Sequence, residues 1–302
     1  SALRFLPVVL ACMVLSACNT TKTPPPSSTA FAKAPVRVAA PVGDAVKGGE
    51  PLRAAAGKQA RAINFATSPV PKAPSRSNRK GSTEPEALRG RTLYASSSRI
   101  PLRNKEVVLT FDDGPHPTHT PRILAALDKY GVKATFFMLG ETAKRNSALA
   151  RRVASRGHTV AHHTWGHPNL RKLGRSAAMA EVRKGRAAVK AVVGPGQTSR
   201  FFRFPYLADS QALRESVRGD GDIIIDVDVD SKDYFKTDGD TVRQRTMARL
   251  RKRGKGVILL HDIHGRTASM LPKLLADLKR DGYKVVTLRS SDSPSPDLIA
   301  SR

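Results

Sequence analysis

Residues 107–115 read Val-Val-Leu-Thr-Phe-Asp-Asp-Gly-Pro, an apolar run that ends on two adjacent carboxylates. The run is typical of a buried strand, in which successive side chains point to opposite faces of the sheet. Asp112 and Asp113 therefore cannot both point the same way, and one can bind a metal while the other stays free beside it. Asp-Asp-Gly alone is also a common solvated turn, so the rest of the chain must decide between the two interpretations.

Two histidines, His163 and His167, follow about 50 residues later in the segment His-Thr-Trp-Gly-His. Neutral imidazole nitrogens and a carboxylate oxygen are ligands that Zn²⁺ accepts, and three protein ligands leave a position open for water. Such a set is typical of a hydrolytic metal rather than a structural one. An isolated pair with this spacing is often a surface pair, but here it follows another strand-like run, which favours a metal site.

Three further segments carry polar groups in or directly after strand-like runs. Residues 201–206 read Phe-Phe-Arg-Phe-Pro-Tyr, residues 230–234 read Asp-Ser-Lys-Asp-Tyr, and residues 256–262 read Gly-Val-Ile-Leu-Leu-His-Asp. With these five motifs in this order, the chain resembles the polysaccharide deacetylases of the NodB-homology type, carbohydrate esterase family four. The resemblance spans about residues 105–290. It implies a metal-dependent hydrolase that removes N-acetyl groups from a GlcNAc-containing polysaccharide, with cell-wall peptidoglycan as the first expectation.

The resemblance also implies roles for the polar residues. Asp113, His163 and His167 are expected to bind a divalent metal, most often Zn²⁺, with Co²⁺, Ni²⁺ or Mn²⁺ as alternatives. Asp112 resembles the general base that activates water, and His261 resembles the general acid that protonates the departing sugar amine. A base and an acid on opposite sides of the scissile carbon suit amide hydrolysis.

The same resemblance gives partners to the base and the acid. Arg203 is expected to pair with Asp112 and keep it ionised, and Asp233 is expected to hold and charge His261. Two simpler interpretations stay open, because Arg203 could stack on its aromatic neighbours and His261 could be a hydrogen-bonded core histidine.

The resemblance also implies which residues line the wall of the site. The backbone N–H of Tyr206 is expected to stabilise the oxyanion, and Leu259 with Tyr234 is expected to line a small pocket for the acetyl methyl group. Tyr234 stands where many relatives carry Trp, which predicts a more polar or slightly wider pocket. His162, directly before the ligand His163, is a candidate for support of the ligands.

Strand-like and helix-like segments alternate from residue 107 to residue 288. This order indicates parallel strands covered by helices, an α/β barrel class. The resemblance narrows it to a distorted (β/α)7 barrel. The polar motifs fall where strands give way to loops, the face at which barrel active sites gather.

The N-terminal part is expected to be a leader and a tether rather than fold. Residues 1–17 hold an apolar run of signal-peptide length, and residues 15–18, Leu-Ser-Ala-Cys, resemble a lipoprotein lipobox with Cys18 as the lipidated residue. An ordinary secretory signal is the alternative. Residues 18–104 are rich in Pro, Ala, Ser and basic residues and predict an extended linker. The catalytic domain is expected at 105–290 and a tail at 291–302. The prediction is an exported bacterial lipoprotein, with the outer membrane favoured where the organism has one.

The formal net charge is +27, and residues 19–104 carry 15 Lys and Arg against 4 Asp and Glu. No nucleic-acid-binding motif accompanies this charge, so nucleic acid is not expected as a partner. Anionic lipid head groups and acidic wall polymers suit a basic, lipid-anchored chain better.

The resemblance does not specify which acetylated polysaccharide is the substrate. Chitooligosaccharides, poly-GlcNAc and O-acetylated xylan are alternatives, because the motif residues contact the acetyl group rather than the polymer. A catalytically silent glycan-binding lipoprotein on the same scaffold, or a small-molecule amidase of the superfamily, are the competing classes of function.

Overall fold

Parallel strands and helices alternate along residues 87–291, the part of the chain that the computed structural model describes. The predicted leader at 1–17, Cys18, most of the predicted linker and nearly all of the predicted tail lie outside the described residues. No helix within the described part is long and apolar enough to cross a membrane.

The strands are β1 (Arg89–Ala95), β2 (Glu106–Asp112), β3 (Thr135–Met138), β4 (Thr159–His162), β5 (Thr198–Phe202), β6 (Ile223–Ile224), β7 (Val229–Asp230), β8 (Gly256–His261) and β9 (Lys284–Ser290). The helices are α1 (His119–Lys129), α2 (Gly140–Arg145), α3 (Ser147–Ser155), α4 (Arg175–Val193), α5 (Gln211–Gly219), α6 (Gly239–Arg253) and α7 (Gly265–Arg280).

Seven strands form one curled parallel sheet in the order β7-β8-β2-β3-β4-β5-β6, and β9 and β1 extend it from the first residues of β2. A helix lies between successive strands in every connection except β1 to β2 and β6 to β7, and neither of these two pairs is adjacent in the sheet. The predicted class, a distorted (β/α)7 barrel, is confirmed.

The alternation of side chains along β2 separates two apolar cores. Val107 and Leu109 pack outward in a cluster that includes residues of the helices α1 and α7. Val108 belongs to a second cluster with Phe137, Phe201 and other strand residues inside the curled sheet. Because the side-chain period of a strand is two, Asp112 shares the inner face with Val108. The sheet thus directs one of the two carboxylates into the barrel.

The sheet includes residues that precede 105, the predicted start of the catalytic domain. The strand β1 begins at Arg89 and pairs with β9, and Leu93 and Ala95 are buried on its inner side. Its polar residues and its position after a Pro-rich stretch hide the alternation, but pairing with β9 supplies the burial. Arg91 also pairs with Glu106 at the start of β2.

Candidate active site

The polar residues of the site meet at the carboxyl edge of the sheet. Asp112 ends β2 and lies directly opposite His261, the last residue of β8. Leu259 lies opposite Thr110 in the same pair of strands. His163 and Arg203 directly follow β4 and β5. Parallel strands place all of these ends at one edge, so residues distant in sequence come together.

Asp113, His163 and His167 form the one group of three metal-ligating side chains found among residues 87–291, with their ligand atoms within 4.8 Å of one another. The Asp113 Oδ1 atom lies 3.6 Å from Nε2 of His163 and 3.4 Å from Nε2 of His167. This oxygen is buried and has no hydrogen-bond partner. An unpartnered buried oxygen facing two imidazole nitrogens fits a divalent cation, because a cation would satisfy it.

The orientation of His163 supports this assignment. Its Nδ1 lies 2.7 Å from the carbonyl oxygen of Arg203. Because a carbonyl only accepts, Nδ1 must donate, and Nε2 keeps its lone pair toward Asp113. Burial, with a smaller contribution from His167, holds the pKa of His163 well below its ordinary value. The ring is therefore neutral, the form in which imidazole binds a metal.

Asp112 is joined to Arg203 in a fully buried ion pair, with 2.7 Å between Asp112 Oδ1 and Arg203 Nη1. The guanidinium also donates to Thr110 Oγ1 and to the carbonyl of Ile225 and lies over the ring of Phe137. The contacts thus include the predicted pairing, and the aromatic ring beneath Arg203 is that of Phe137 in β3 rather than one of its sequence neighbours. Burial outweighs the attraction of Arg203 and raises the pKa of Asp112 to about 6. The carboxylate is ionised above that pH.

His261 is bound to Asp233 twice. Its Nδ1 lies 2.7 Å from Asp233 Oδ1, and its backbone N–H donates to Oδ2. Thr267 donates a further hydrogen bond to Oδ2. Burial opposes protonation of His261, but the hydrogen bond to Asp233 and the nearby carboxylates outweigh it and raise the pKa of His261 to about 9. At neutral pH His261 is therefore a cation with a proton to donate.

The three metal-ligating residues, together with Asp112 and His261, line a pocket of about 310 Å³. All three predicted wall residues are found there: Leu259 is buried, whereas Tyr206 and Tyr234 are exposed at the mouth. The Tyr206 and His167 rings pack with their centroids 4.5 Å apart, and the Tyr234 ring stands perpendicular to His261. The Tyr234 hydroxyl donates to Asp230 Oδ2 at 2.8 Å.

The sequence interpretation missed four residues of the pocket wall: Phe204, Leu207, Asp230 and His264. Asp230 lies at the end of β7, and His264 lies one short turn after His261, so their positions at strand ends were the available signal. His162 faces the other side of β4, where its Nε2 lies 3.2 Å from Asp222 Oδ1.

The short helix α2 connects the two segments that carry the metal-ligating residues. Its first two backbone N–H groups, of Gly140 and Glu141, donate to the carbonyls of Thr164 and Trp165. Thr142 Oγ1 donates to the carbonyl of Gly114 at 2.5 Å. The amphipathic pattern of residues 141–156 predicts one helix, but the chain breaks at Asn146, whose side-chain amide donates to the carbonyl of Pro115. The break holds α2 against both segments.

Comparison with known proteins agrees with this geometry. A sequence model of the family described as polysaccharide deacetylase matches residues 99–221. A peptidoglycan-N-acetylglucosamine deacetylase of Bacillus cereus is 32% identical over 215 residues, which is 70% of this chain and 76% of that protein. The chain is 36% identical over 185 residues to a peptidoglycan-N-acetylglucosamine deacetylase of Listeria monocytogenes, a match that covers 61% of this chain but only 38% of that longer protein.

Among solved structures, a peptidoglycan deacetylase of Bdellovibrio bacteriovorus superimposes with a TM-score of 0.63 at 32% identity, covering 70% of this chain and 63% of that one. Similarity of this extent in sequence and in fold, over residues that include both ligand segments, shows that the chain belongs to the polysaccharide deacetylase family of the NodB-homology type.

Proposed function

We propose that the protein is a metal-dependent hydrolase that removes N-acetyl groups from GlcNAc units of peptidoglycan. The observation that carries the proposal is the placement of an ionisable carboxylate and a cationic imidazole on neighbouring strands beside one set of metal ligands. Asp112 and His261 are opposite each other in the register of β2 and β8, and both line the pocket with Asp113, His163 and His167.

The proposed metal is Zn²⁺, because one carboxylate and two imidazoles are a ligand set of open catalytic zinc sites. When bound, the metal supplies a Lewis acid for the acetamide carbonyl and lowers the pKa of water. Asp112 accepts a proton from the attacking water, and Arg203 holds that carboxylate in place. His261 donates a proton to the sugar nitrogen as the carbon–nitrogen bond breaks, which leaves acetate and a free amine. The Tyr206 N–H stabilises the oxyanion, and Leu259 contacts the acetyl methyl group.

A polymeric substrate is supported by the mouth of the pocket. Six large hydrophobic side chains are exposed within residues 87–291, and four of them surround this pocket or contact its wall: Tyr206, Leu207, Tyr234 and Phe235. Clustered exposed apolar side chains mark a binding surface, and the apolar faces of neighbouring sugar rings suit it. Peptidoglycan is preferred over chitin because the three relatives compared above are named for it.

The decisive experiment measures acetate released by the zinc-loaded protein from peptidoglycan, chitooligosaccharides, poly-GlcNAc and acetylated xylan. We expect release from peptidoglycan and a loss of about 10²-fold or more in Asp112→Asn. Asp128→Asn is the matched control, because Asp128 pairs with Arg156 on the surface. A folded, zinc-loaded wild-type protein that releases acetate from none of these glycans would contradict the proposal. Release from another glycan alone would replace peptidoglycan as the substrate.

We also propose that Cys18 is lipidated and anchors the enzyme to a membrane of an exporting bacterium. Support comes from the apolar run and the Leu-Ser-Ala-Cys sequence at residues 15–18. Labelling of the expressed protein with a fatty-acid analogue should be lost in Cys18→Ser and kept in Cys12→Ser. Equal labelling of both variants would contradict the anchor.

A further inference from the structure

The 230–235 loop, from Asp230 to Phe235, brings three residues to the pocket or its acid. Asp233 is fully buried beneath His261, and Asp230 and Tyr234 line the pocket. The backbone of Lys232 lies in the left-handed region, with φ of 56°. Residues other than glycine are held in that region only where surrounding contacts impose it. The contacts that impose this shape come from two helices outside the sheet.

Three arginines donate to backbone carbonyls of the 230–235 loop. Arg245 donates from Nε to the Ser231 carbonyl at 3.0 Å and from Nη2 to the Lys232 carbonyl at 3.1 Å. One turn further along α6, Arg249 donates to the Asp230 carbonyl at 2.5 Å. Arg266, in the first turn of α7, donates to the Phe235 carbonyl. Four carbonyls of a six-residue loop are thus bound by guanidinium groups.

These arginines differ from their neighbours on α6. Arg243, Arg251 and Arg253 each pair with a carboxylate. Within residues 87–291, Arg245, Arg249 and Arg266 form no such ion pair, and their side chains donate instead to the 230–235 loop. A planar guanidinium presents its donors in a fixed fork, and its hydrogen bonds to carbonyls are charge-assisted. The fork of Arg245 spans two consecutive carbonyls on either side of the left-handed turn.

We propose that Arg245, Arg249 and Arg266 are positioning residues, which hold the 230–235 loop so that Asp233 stays against His261 and Tyr234 stays in the pocket wall. The consequence for catalysis rests on the proposed function, whereas the positioning itself does not. Asp233 receives hydrogen bonds from the His261 ring and backbone and from Thr267. These three hydrogen bonds can form only while the loop keeps its position relative to the end of β8.

A loosened loop should therefore change the acidity of His261. Several charged or titratable groups face His261 from the elements packed around it. They are Asp112 and Asp113 at the end of β2, His163 and His167 after β4, Asp233 and Tyr234 on the loop, and Asp262 and His264 after β8. Only Asp233 and Tyr234 would move with the loop. Since the hydrogen bond to Asp233 is the largest influence that raises the pKa of His261, its weakening lowers that pKa from about 9 toward the ordinary value of 6.5.

The test uses full-length, zinc-loaded Arg245→Met, which keeps the length of the side chain and removes the fork. Arg245→Lys keeps the positive charge but removes the fork, so it separates the effect of the charge from the effect of the fork. It also replaces the methionine variant in the test if that variant folds poorly. Arg251→Met is the matched control, because Arg251 lies on the same helix and pairs with Asp281. The pKa of His261 is measured by NMR of the histidine ring, and acetate release is measured from pH 6 to pH 9.

In Arg245→Met and Arg245→Lys we expect the pKa of His261 to fall toward about 7, which reduces its protonated fraction at pH 8 about tenfold. Acetate release should then fall about tenfold at pH 8 and much less at pH 6, whereas Arg251→Met should behave as wild type. In an Asp233→Asn background, Arg245→Met should not change the pKa of His261 further. An unchanged pKa in both Arg245 variants, or an equal change in Arg251→Met, would overturn the inference. The NMR result decides the positioning role even if the wild-type protein releases no acetate, which would count against the proposed function alone.

Discussion

Replacing Arg203 with methionine would leave the Asp112 carboxylate buried without its cationic partner. Both side chains are almost fully buried, and Arg203 donates to Asp112, Thr110 and the carbonyl of Ile225. Breaking a buried pair by removing one partner costs about 3–5 kcal/mol, because the remaining charge is uncompensated. We expect a loss of this size in the free energy of unfolding at pH 8.

The loss should depend on pH in a defined direction. In the wild type the folded-state pKa of Asp112, about 6, lies above the ordinary value of 3.8. The contribution of Asp112 to the free energy of unfolding of the wild type is therefore greatest below pH 3.8 and declines until about pH 6. Without Arg203 the folded-state pKa rises further, so the decline continues to higher pH. At pH 5 the carboxyl is protonated in the folded variant, and the cost should shrink to about 1–2 kcal/mol for the lost hydrogen bonds.

The assay is urea unfolding at pH 5 and pH 8 in a chelator, followed by the fluorescence of Trp165, the single tryptophan of the chain. Arg203→Met with Asp112→Asn should recover part of the loss at pH 8, because no buried charge remains. Arg156→Met, which breaks the partly exposed pair with Asp128, should cost less than about 1 kcal/mol. Equal costs for Arg203→Met at both pH values, or strict additivity with Asp112→Asn, would refute the reasoning.

Three further outcomes are expected. In Asp233→Asn the alkaline limb of kcat/KM, measured from pH 5.5 to 10, should move from about 9 toward 6.5, because His261 loses the partner that raises its pKa; an unmoved limb would exclude His261 as the acid. In Gly185→Ala the new methyl carbon would lie 2.2 Å from the carbonyl carbon of Thr164, so the segment that carries His163 and His167 must shift. Zinc affinity, measured by competition with a chelator, should then fall about tenfold. Gly174→Ala is the control and should bind zinc as the wild type does, because the space around Gly174 is open. Phe235→Ala should raise KM for polymeric glycan and leave that for an N-acetylated disaccharide unchanged; equal changes in both would exclude Phe235 from polymer binding.

One physical reason explains why the sequence predicts both the fold and the spatial proximity of the site residues. Polar residues at the carboxyl ends of parallel strands must converge on one edge, so Asp112 and His261 are brought together without any local signal that relates them. The alternation along β2 further predicts that Asp112 lies on the inner face of the strand, and the structure has it there. Asp113 lies beyond the strand end, where its backbone has a φ of 76° and its side chain lines the same pocket.

What the sequence does not predict depends on contacts between distant elements. The strand β1 has only Leu93 and Ala95 buried, and it is recognisable as a strand only when β9 lies beside it. The break between α2 and α3 follows from bonds of Thr142 and Asn146 to the Gly114–Pro115 segment. No helix propensity at residues 141–156 reveals those bonds, since their acceptors come from another part of the chain.

The backbone of the site explains why local patterns fail there. Seven residues other than glycine have positive φ within residues 87–291, and six of them belong to the loops that carry the pocket residues: Asp113, Thr164, His167, Tyr206, Leu207 and Lys232. Glycine would adopt these angles without strain, but glycine has no side chain to bind a metal or to contact a substrate. Chemistry therefore selects side chains that the local backbone disfavours, and the surrounding contacts must supply the stability that local propensity does not. The bonds of α2 to Thr164 and of Arg245 to either side of Lys232 are such contacts. Residues that look structural, in helices outside the barrel, are thus part of what makes the proposed chemistry feasible.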